Sequence, residues 1–279
     1  MLLIPVLALG LYLFTAYPEP GWIDSGELAA VAHTLGIAHP PGSPLYVLLT
    51  RLMVVVLPGS FFPLTFLSAL AVFAGLVLLT RLPLLEAAPL KISAGAVTAL
   101  IMAMAPTIWK QAIINEVYAV QFFMYCLFLF LWSRPESAKN IPLLSYLAGL
   151  TFAVHQSAIF LAPFLLERIW PYRRRLSAWM GMLAGGLFGV TIYLYMPIRS
   201  ALKPILDWGG TDRWSAFIRH FTGWQYSSFL GIHSIEEFKI NISLLAEWTW
   251  HNFPLAVIPV AFLGTWYPVS YTHLTLPTN

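Results

Sequence analysis

Long apolar runs alternate with short polar breaks along almost the whole chain. The runs cover residues 2–16, 61–82, 92–107, 118–132, 143–154, 158–166, 176–198 and 242–266, and they carry few charges. A helix needs about 20 apolar residues to cross about 30 Å of hydrocarbon. Each run is read as a membrane-spanning helix, although several are short by that measure. The two runs flanking His155 stay separate or join into one helix of roughly 24 residues, so the pattern predicts seven or eight spans. Pro5, Pro63, Pro106, Pro163 and Pro197 fall within or at the ends of runs, which membrane helices tolerate.

Residues 17–60 break the pattern. Residues 24–36 read as a short helix with Leu28, Val31, Ala32 and Leu35 on one face. The turn-rich stretch Ala38-His39-Pro40-Pro41-Gly42-Ser43-Pro44 follows. Residues 45–57 are then apolar apart from Thr50 and Arg51, and Pro58-Gly59 closes the run. Thirteen helical residues reach only about 20 Å, too short to cross. This segment is expected to lie along the membrane interface, with Arg51 snorkelling to the headgroups. The predicted fold class is therefore all-α, a polytopic transmembrane helix bundle with interfacial helices in its first outer loop.

Composition narrows the class. Hydrophobic residues make up 59% of the 279 and charged residues 10%, against about 25% charged in soluble domains. A single-domain soluble enzyme and a disordered chain are both excluded on that ground. The single cysteine, Cys126, excludes an intramolecular disulfide and a cysteine-rich metal site, and it reads as a small buried hydrophobe. Eleven Trp, twelve Tyr and nineteen Phe suit helices anchored at two interfaces. The net charge of +3 gives no reason to invoke nucleic acid.

The distribution of Lys and Arg sets an orientation. With residues 17–60 outside, Arg81, Lys91, Arg134, Lys139, Arg168, Arg173, Arg174 and Arg175 fall inside. The loops around Asp24, Glu116 and Asp207 fall outside, the last in a long loop covering 199–241. Residues 1–266 are expected to form one membrane domain truncated at both ends. Residues 267–279 hold three Thr, two Pro and none of Asp, Glu, Lys or Arg, and they read as a non-native tail.

Several polar residues can carry chemistry. Asp24-Ser25-Gly26-Glu27 places two carboxylates on one helical face directly after a span. The arrangement is either a capping box or a functional acid pair with few local cations. Glu116, in Asn115-Glu116-Val117-Tyr118, stands at the mouth of two spans. It either pairs with Lys110 or approaches Asp24 to form a carboxylate cluster for general-base work or a metal. His155, His39 and His33 are structural histidines or ligands. Arg199 follows Pro197 at the outer end of a span, where its guanidinium suits either a bound phosphate or lipid phosphate. Asp207, Trp208 and Tyr226 lie in the long outer loop with Trp214 and Trp224, an acid–aromatic combination that suits either a sugar site or an ordinary interfacial loop. No P-loop, dinucleotide glycine pattern or His-Glu-x-x-His motif occurs. Gly181, Gly185 and Gly189 recur every four residues, which is a helix-packing pattern.

These motifs in this order resemble a known family. Asp24-Ser25-Gly26-Glu27 is followed by Leu35-Gly36-Ile37-Ala38-His39-Pro40-Pro41-Gly42-Ser43-Pro44-Leu45-Tyr46, then by Asn115-Glu116-Val117-Tyr118-Ala119 and Pro197-Ile198-Arg199-Ser200. Asp207-Trp208-Gly209, His220 and Gln225-Tyr226 complete the series. Over roughly residues 2–226 the chain resembles a prokaryotic membrane family related to the transmembrane protein O-mannosyltransferases, within the class C (GT-C) glycosyltransferases. The resemblance implies a GT-C-like bundle in a prokaryotic plasma membrane, with the active site on the outer face. It implies transfer of a mannose-like sugar from a polyprenyl-phosphate donor to a hydroxyl on a protein or glycan acceptor. Asp24 or Glu27 would then be the catalytic base, Glu116 a supporting acid and Arg199 a donor-phosphate contact, with His39 and His155 as weaker transfers. A divalent metal is optional, and Asp24 and Glu116 would hold one if present. The alternative class is a multi-pass transporter or a flippase of lipid-linked sugars. A transporter would place charges at mid-depth, often in inverted repeats, whereas here they cluster at one face and no repeat is evident.

Overall fold

A computed structural model describes residues 2–21, 24–59, 61–82, 94–135, 137–229 and 234–253. Among these residues the fold is all-α, and the only β feature is one parallel bridge between Ile37 and Asp207. The helices are α1 (Leu3–Thr15), α2 (Asp24–Thr34), α3 (Pro44–Val56), α4 (Phe62–Leu79), α5 (Ala94–Met104), α6 (Pro106–Ile113) and α7 (Val117–Trp132). They continue with α8 (Ile141–Phe152), α9 (Ala162–Ile169), α10 (Leu176–Val190), α11 (Tyr195–Ala201), α12 (Trp214–Phe221) and α13 (Ile235–Asn252). The expected tail, 267–279, lies outside the described residues.

Among the described residues, two helices are long and apolar enough to cross a membrane: α4, and the continuous segment Leu176–Ala201 that joins α10 to α11 through a 3₁₀ turn. A third results if α5 and α6 count as one span bent by 68°. Pro106 explains the bend, since it opens α6 and cannot continue the ladder of α5. The apolar helices α1, α3 and α7 are shorter, at 13, 13 and 16 residues. The described helices thus offer fewer full-length spans than the seven or eight read from hydropathy, because prolines and turns divide the apolar runs. The runs flanking His155 are one such case. They do not fuse: α8 ends at Phe152, and a 3₁₀ segment, Gln156–Leu161, separates it from α9. Helix α13 begins at Ile235, earlier than the expected 242, because Ser234 caps it by accepting the Glu237 amide at 3.0 Å.

The chain divides into two compact units. The larger holds 1–104 and 108–229. Its core centres on Tyr12, Tyr46, Val72, Leu76 and Phe128, all buried. Helix α4 packs on α7, and Gly75 lets the Phe122 ring approach closely. Cys126 is buried in this core, as expected. Helices α8 and α10 pack backbone to backbone. A Cβ on Gly185 or Gly189 would overlap the carbonyls of Pro142 or Tyr146, and Gly181 lies against the Pro142 ring. Apolar helices gain little by burying apolar area away from lipid, so such small-residue contact is what holds them together. The outward surface of α10 leaves Leu176, Met180, Leu183, Leu187 and Phe188 exposed. A stripe of that size calls for an apolar surrounding. The described part of the smaller unit is 105–107 and 234–253. Within it, Asn252 at the end of α13 accepts the Thr107 amide at 2.9 Å.

Candidate functional site

The site begins at the first turn of α2, where Asp24 and Glu27 lie three residues apart. The helix ends in a Schellman turn. Leu35 adopts φ 51°, and the Gly36 amide reaches the Val31 carbonyl at 3.1 Å. Glycine is commonest at such a left-handed position, yet here it follows one residue later. The reason is steric: a Cβ on Gly36 would sit 2.6 Å from the Leu206 carbonyl oxygen. The chain then pairs with the loop before Asp207, Ile37 donating to Leu206 at 2.9 Å and Trp208 donating to Ile37 at 3.4 Å. The buried ring of His220 meets the Ala38 carbonyl through Nε2 at 2.9 Å. This strapping delivers His39 back to the start of α2. The Pro40-Pro41 bond is cis. Gly42, at φ 90°, turns the chain beneath Met196 and His220, and Pro44 opens α3.

His39 grips Glu27 twice. Its amide donates to Oε1 at 2.7 Å, and Nδ1 meets Oε2 at 2.8 Å. The other ring nitrogen, Nε2, lies 3.8 Å from Asp24 Oδ2. Glu27 therefore does not close a capping box; both of its oxygens are taken by His39. Asp24 keeps the freer carboxylate, 44% exposed against 20% for Glu27. The Glu27 hydrogen bond raises the His39 pKa against the opposing effect of burial, and the charges of Glu27, Asp24 and Glu116 add to the rise.

Glu116 is buried at the start of α7. Burial first, and then the nearby Asp24 charge, push its carboxyl up to about 7, against the opposing charge of His39. No ion pair with Lys110 forms within 4.0 Å among the described residues. Its neighbour Asn115 is fully buried and holds the corner together. Its Oδ1 accepts from the Tyr46 hydroxyl, and its Nδ2 donates to the Ser25 carbonyl at 3.1 Å. One amide thus ties α3, α2 and the residue before Glu116. His155 sits at the break between α8 and α9, where Nδ1 accepts the Ser157 amide at 3.2 Å and the ring lies 5.2 Å from Tyr118. Burial and then the His39 charge lower its pKa.

The other sequence candidates do different work. Arg199 donates through Nε to the Leu35 carbonyl at 2.6 Å and through Nη2 to the Thr34 carbonyl at 3.3 Å. Arg51 does not extend freely toward headgroups; its Nη1 donates to the His33 carbonyl at 2.6 Å. Two arginines therefore close the C-terminal end of α2, about 15 Å along the helix from Asp24. The reason is physical: the last carbonyls of a helix lack partners and carry partial negative charge. Asp207 accepts from the Ser200 hydroxyl at 2.5 Å and from the Gly209 and Gly210 amides at 3.2 and 3.0 Å, which shapes its own turn. Trp208 and Tyr226 are exposed, at 59% and 40%.

The geometry thus joins Asp24, Glu27 and His39, with Glu116 and His155 close enough to act on His39 electrostatically. Asp24, Glu27 and His39 each offer one ligand atom, and those atoms lie within 4.8 Å of one another. Oxygen and imidazole donors of this kind suit a divalent cation, which would have to compete with His39 for Glu27. Glu116, expected to join Asp24 at any metal, lies outside that three-residue group. Sequence reasoning assigned no role to Tyr46, Asn115 or His220. The only signal was their place inside or beside the quoted motifs.

Comparison with known proteins gives a consistent picture. A profile described as the protein O-mannosyl-transferase TMEM260 N-terminal domain matches residues 24–175. That stretch starts on Asp24, includes Glu27, His39, Glu116 and His155, and stops before Arg199. The protein O-mannosyl-transferase TMEM260 of Mus musculus is 28% identical over 241 residues, which cover 80% of this chain and 34% of the mouse protein. The Dictyostelium discoideum protein of the same name is 24% identical over 250 residues, covering 78% of this chain and 30% of its own. The chain thus spans about a third of the length of these curated relatives. No solved structure matches.

Proposed function

This chain belongs to the family of the protein O-mannosyl-transferase TMEM260 N-terminal domain, and on that premise we propose that it is the membrane-embedded catalytic part of a glycosyltransferase. In this reading it is a GT-C-like polytopic bundle covering residues 1–266, set in a prokaryotic plasma membrane with the acid–histidine end outward. It moves a mannose-like sugar from a polyprenyl-phosphate donor to a hydroxyl on a protein or glycan acceptor.

The observation that carries the reading is the unequal state of the two carboxylates. Glu27 has both oxygens occupied by His39, and among the described residues Asp24 has neither oxygen within hydrogen-bonding range of a partner, His39 Nε2 standing 3.8 Å away. Asp24 is the base. It takes the proton of the acceptor hydroxyl, whose oxygen attacks the anomeric carbon. The bond from that carbon to the phosphate oxygen breaks, and lipid phosphate leaves with the electron pair. Glu27 holds the His39 ring in place. Its grip on Nδ1 turns Nε2 toward Asp24. Glu116 supports Asp24 from the start of α7. Arg199 keeps the far end of α2 in register, and its remaining Nη1 is left for the donor phosphate. Trp208 and Tyr226 offer exposed rings for sugar stacking. Clustering of the acids at one end of α7 supports an interfacial enzyme over a transporter, which would hold such groups at mid-depth.

The test uses the full-length protein in membranes supplied with labelled polyprenyl-phosphate mannose. Asp24→Asn is expected to lower transfer by about 10²-fold or more at unchanged thermal stability, because the amide keeps the shape but cannot take the proton. Glu27→Gln should lower it less. Near-normal transfer in both variants and in the double variant would overturn the catalytic reading.

A further inference from the structure

The opposite end of α7 carries an arrangement that the proposed chemistry does not use. Helix α7 runs about 24 Å from Val117 to Trp132, short of the roughly 30 Å of a hydrocarbon core, so its two ends lie near opposite interfaces only where the bilayer is thin or the flanking residues complete the crossing. Where it ends, cations sit on aromatic faces. Arg134 lies 4.6 Å from the Phe130 ring, Arg168 5.7 Å from Trp132, Arg173 4.7 Å from Trp170, and Arg175 5.4 Å from Tyr172. Packing brings these pairs to one end. Arg168 Nη2 donates to the Trp132 carbonyl, linking α9 to α7. Ile141, Ile169 and Ala178 form one small cluster with Tyr172, linking the starts of α8 and α10 to the 3₁₀ turn Trp170–Tyr172.

The charge at this end is one-sided. Arg134, Lys139, Arg168, Arg173, Arg174 and Arg175 form no salt bridge among the described residues. The acid beside them, Glu167, accepts the Trp132 indole N–H at 2.9 Å, and Glu136 lies outside the described residues. Arg168 is 94% buried, and its Nε has no hydrogen-bond partner among the described residues. Trp170 is 65% exposed and Leu176 73%, so the basic end continues directly into the apolar outward surface of α10.

We propose that this basic, ring-backed end is a binding surface for anionic phospholipid headgroups in the leaflet that it faces. Guanidinium groups meet phosphate oxygens through their planar fork, and rings beneath them hold the forks in place. The exposed apolar stripe of α10 gives the acyl chains a place beside the headgroup, which a soluble phosphate would not need. The proposal rests on the reading that α7 crosses the bilayer, and it does not depend on the transfer chemistry.

The test takes the full-length protein, reconstituted in equal amounts of phosphatidylglycerol and phosphatidylcholine and then extracted, and counts the lipid retained per protein by native mass spectrometry. Phosphatidylglycerol should be retained over phosphatidylcholine by about tenfold or more. Joint replacement Arg173→Gln, Arg174→Gln and Arg175→Gln should abolish the preference, and the corresponding Lys replacements should keep most of it, because charge remains while the fork is lost. Equal retention of the two lipids by the native protein, or an undiminished preference in the Gln triple, would overturn the proposal. Sugar transfer measured on the same samples separates the two claims. In the native protein, no lipid preference with intact transfer counts against this surface alone, and intact preference without transfer counts against the enzyme reading alone.

Discussion

At the end of α7 opened by Glu116, arginines are committed to backbone: Arg51 to the His33 carbonyl and Arg199 to those of Leu35 and Thr34. At the end closed by Trp132, four arginines lie against aromatic rings, and three of them also stand exposed. The acids differ as sharply. Asp24, Glu27 and Glu116 gather around His39 at the first end, whereas Glu167 at the second is held by an indole. The same residue types therefore serve opposite purposes. At the acid end, polar groups answer one another inside the protein, so a substitution there is felt by the fold. At the basic end Arg168 is buried against the Trp132 carbonyl, but Arg134, Arg173 and Arg175 face outward, so a substitution at these three is felt by what the protein touches.

The largest stability effect expected from this difference is at Asn115. Its side chain joins the Tyr46 hydroxyl to the Ser25 carbonyl in a fully buried place. Asn115→Leu keeps the volume and leaves both partners unpaired, at a cost of roughly 1–3 kcal/mol each. A marked fall in Tm is expected, with transfer falling alongside as Glu116 loses its hold relative to Asp24. Arg174→Leu at the basic end should leave Tm within error. Equal Tm losses in the two variants would break the contrast between an inward-wired and an outward-facing end.

Glu116 gives a pH-dependent version. Its folded-state pKa, about 7, stands above the unfolded value of about 4.3. Between those values the folded protein holds a proton that the unfolded chain has released. Stability is therefore lost as pH rises through that window, and the full penalty is present above pH 7. Glu116→Gln has no such proton. Relative to the native protein it should gain about 1–2 kcal/mol on moving from pH 5 to pH 8, read as a rising difference in Tm. Parallel Tm curves across that range would show that the buried carboxyl is not raised.

Some of this was legible in the sequence. The spacing of Asp24 and Glu27 marked one helical face, and residues 45–57 marked a short apolar helix that forms as Pro44–Val56. The repeat Gly181, Gly185, Gly189 marked close packing, which α8 supplies. What failed to show has a common cause. Arg51 and Arg199 bind carbonyl groups, which every residue has, so no sequence partner signals them. Tyr46 to Asn115 and Ala38 to His220 are contacts across 69 and 182 positions, and no local periodicity reports such distances. Among the described residues, the full-length spans are fewer than the seven or eight read from hydropathy for a different reason. Hydropathy measures apolar length, whereas Pro106 and the turn at His155 decide where a helix stops.

The smallest effect is also the most discriminating, because it asks whether Arg199 serves the fold or the donor. The guanidinium spans two carbonyls, Leu35 at 2.6 Å and Thr34 at 3.3 Å. Lysine keeps a cation at the C-terminal end of α2 but offers one compact group in place of a fork. Arg199→Lys should therefore lower stability by only about 0.5–1 kcal/mol, or a few degrees in Tm. If clamping α2 is its whole role, kcat should fall slightly with Tm while KM for the polyprenyl-phosphate donor stays fixed, since the acids move and the donor site does not. If Nη1 also meets the phosphate, donor KM should rise in Arg199→Lys and further in Arg199→Ala, by more than the Tm loss predicts. Arg51→Lys provides the internal standard, because its guanidinium holds the same helix end. A donor KM that rises equally in the Arg51 and Arg199 variants would assign Arg199 to the fold alone.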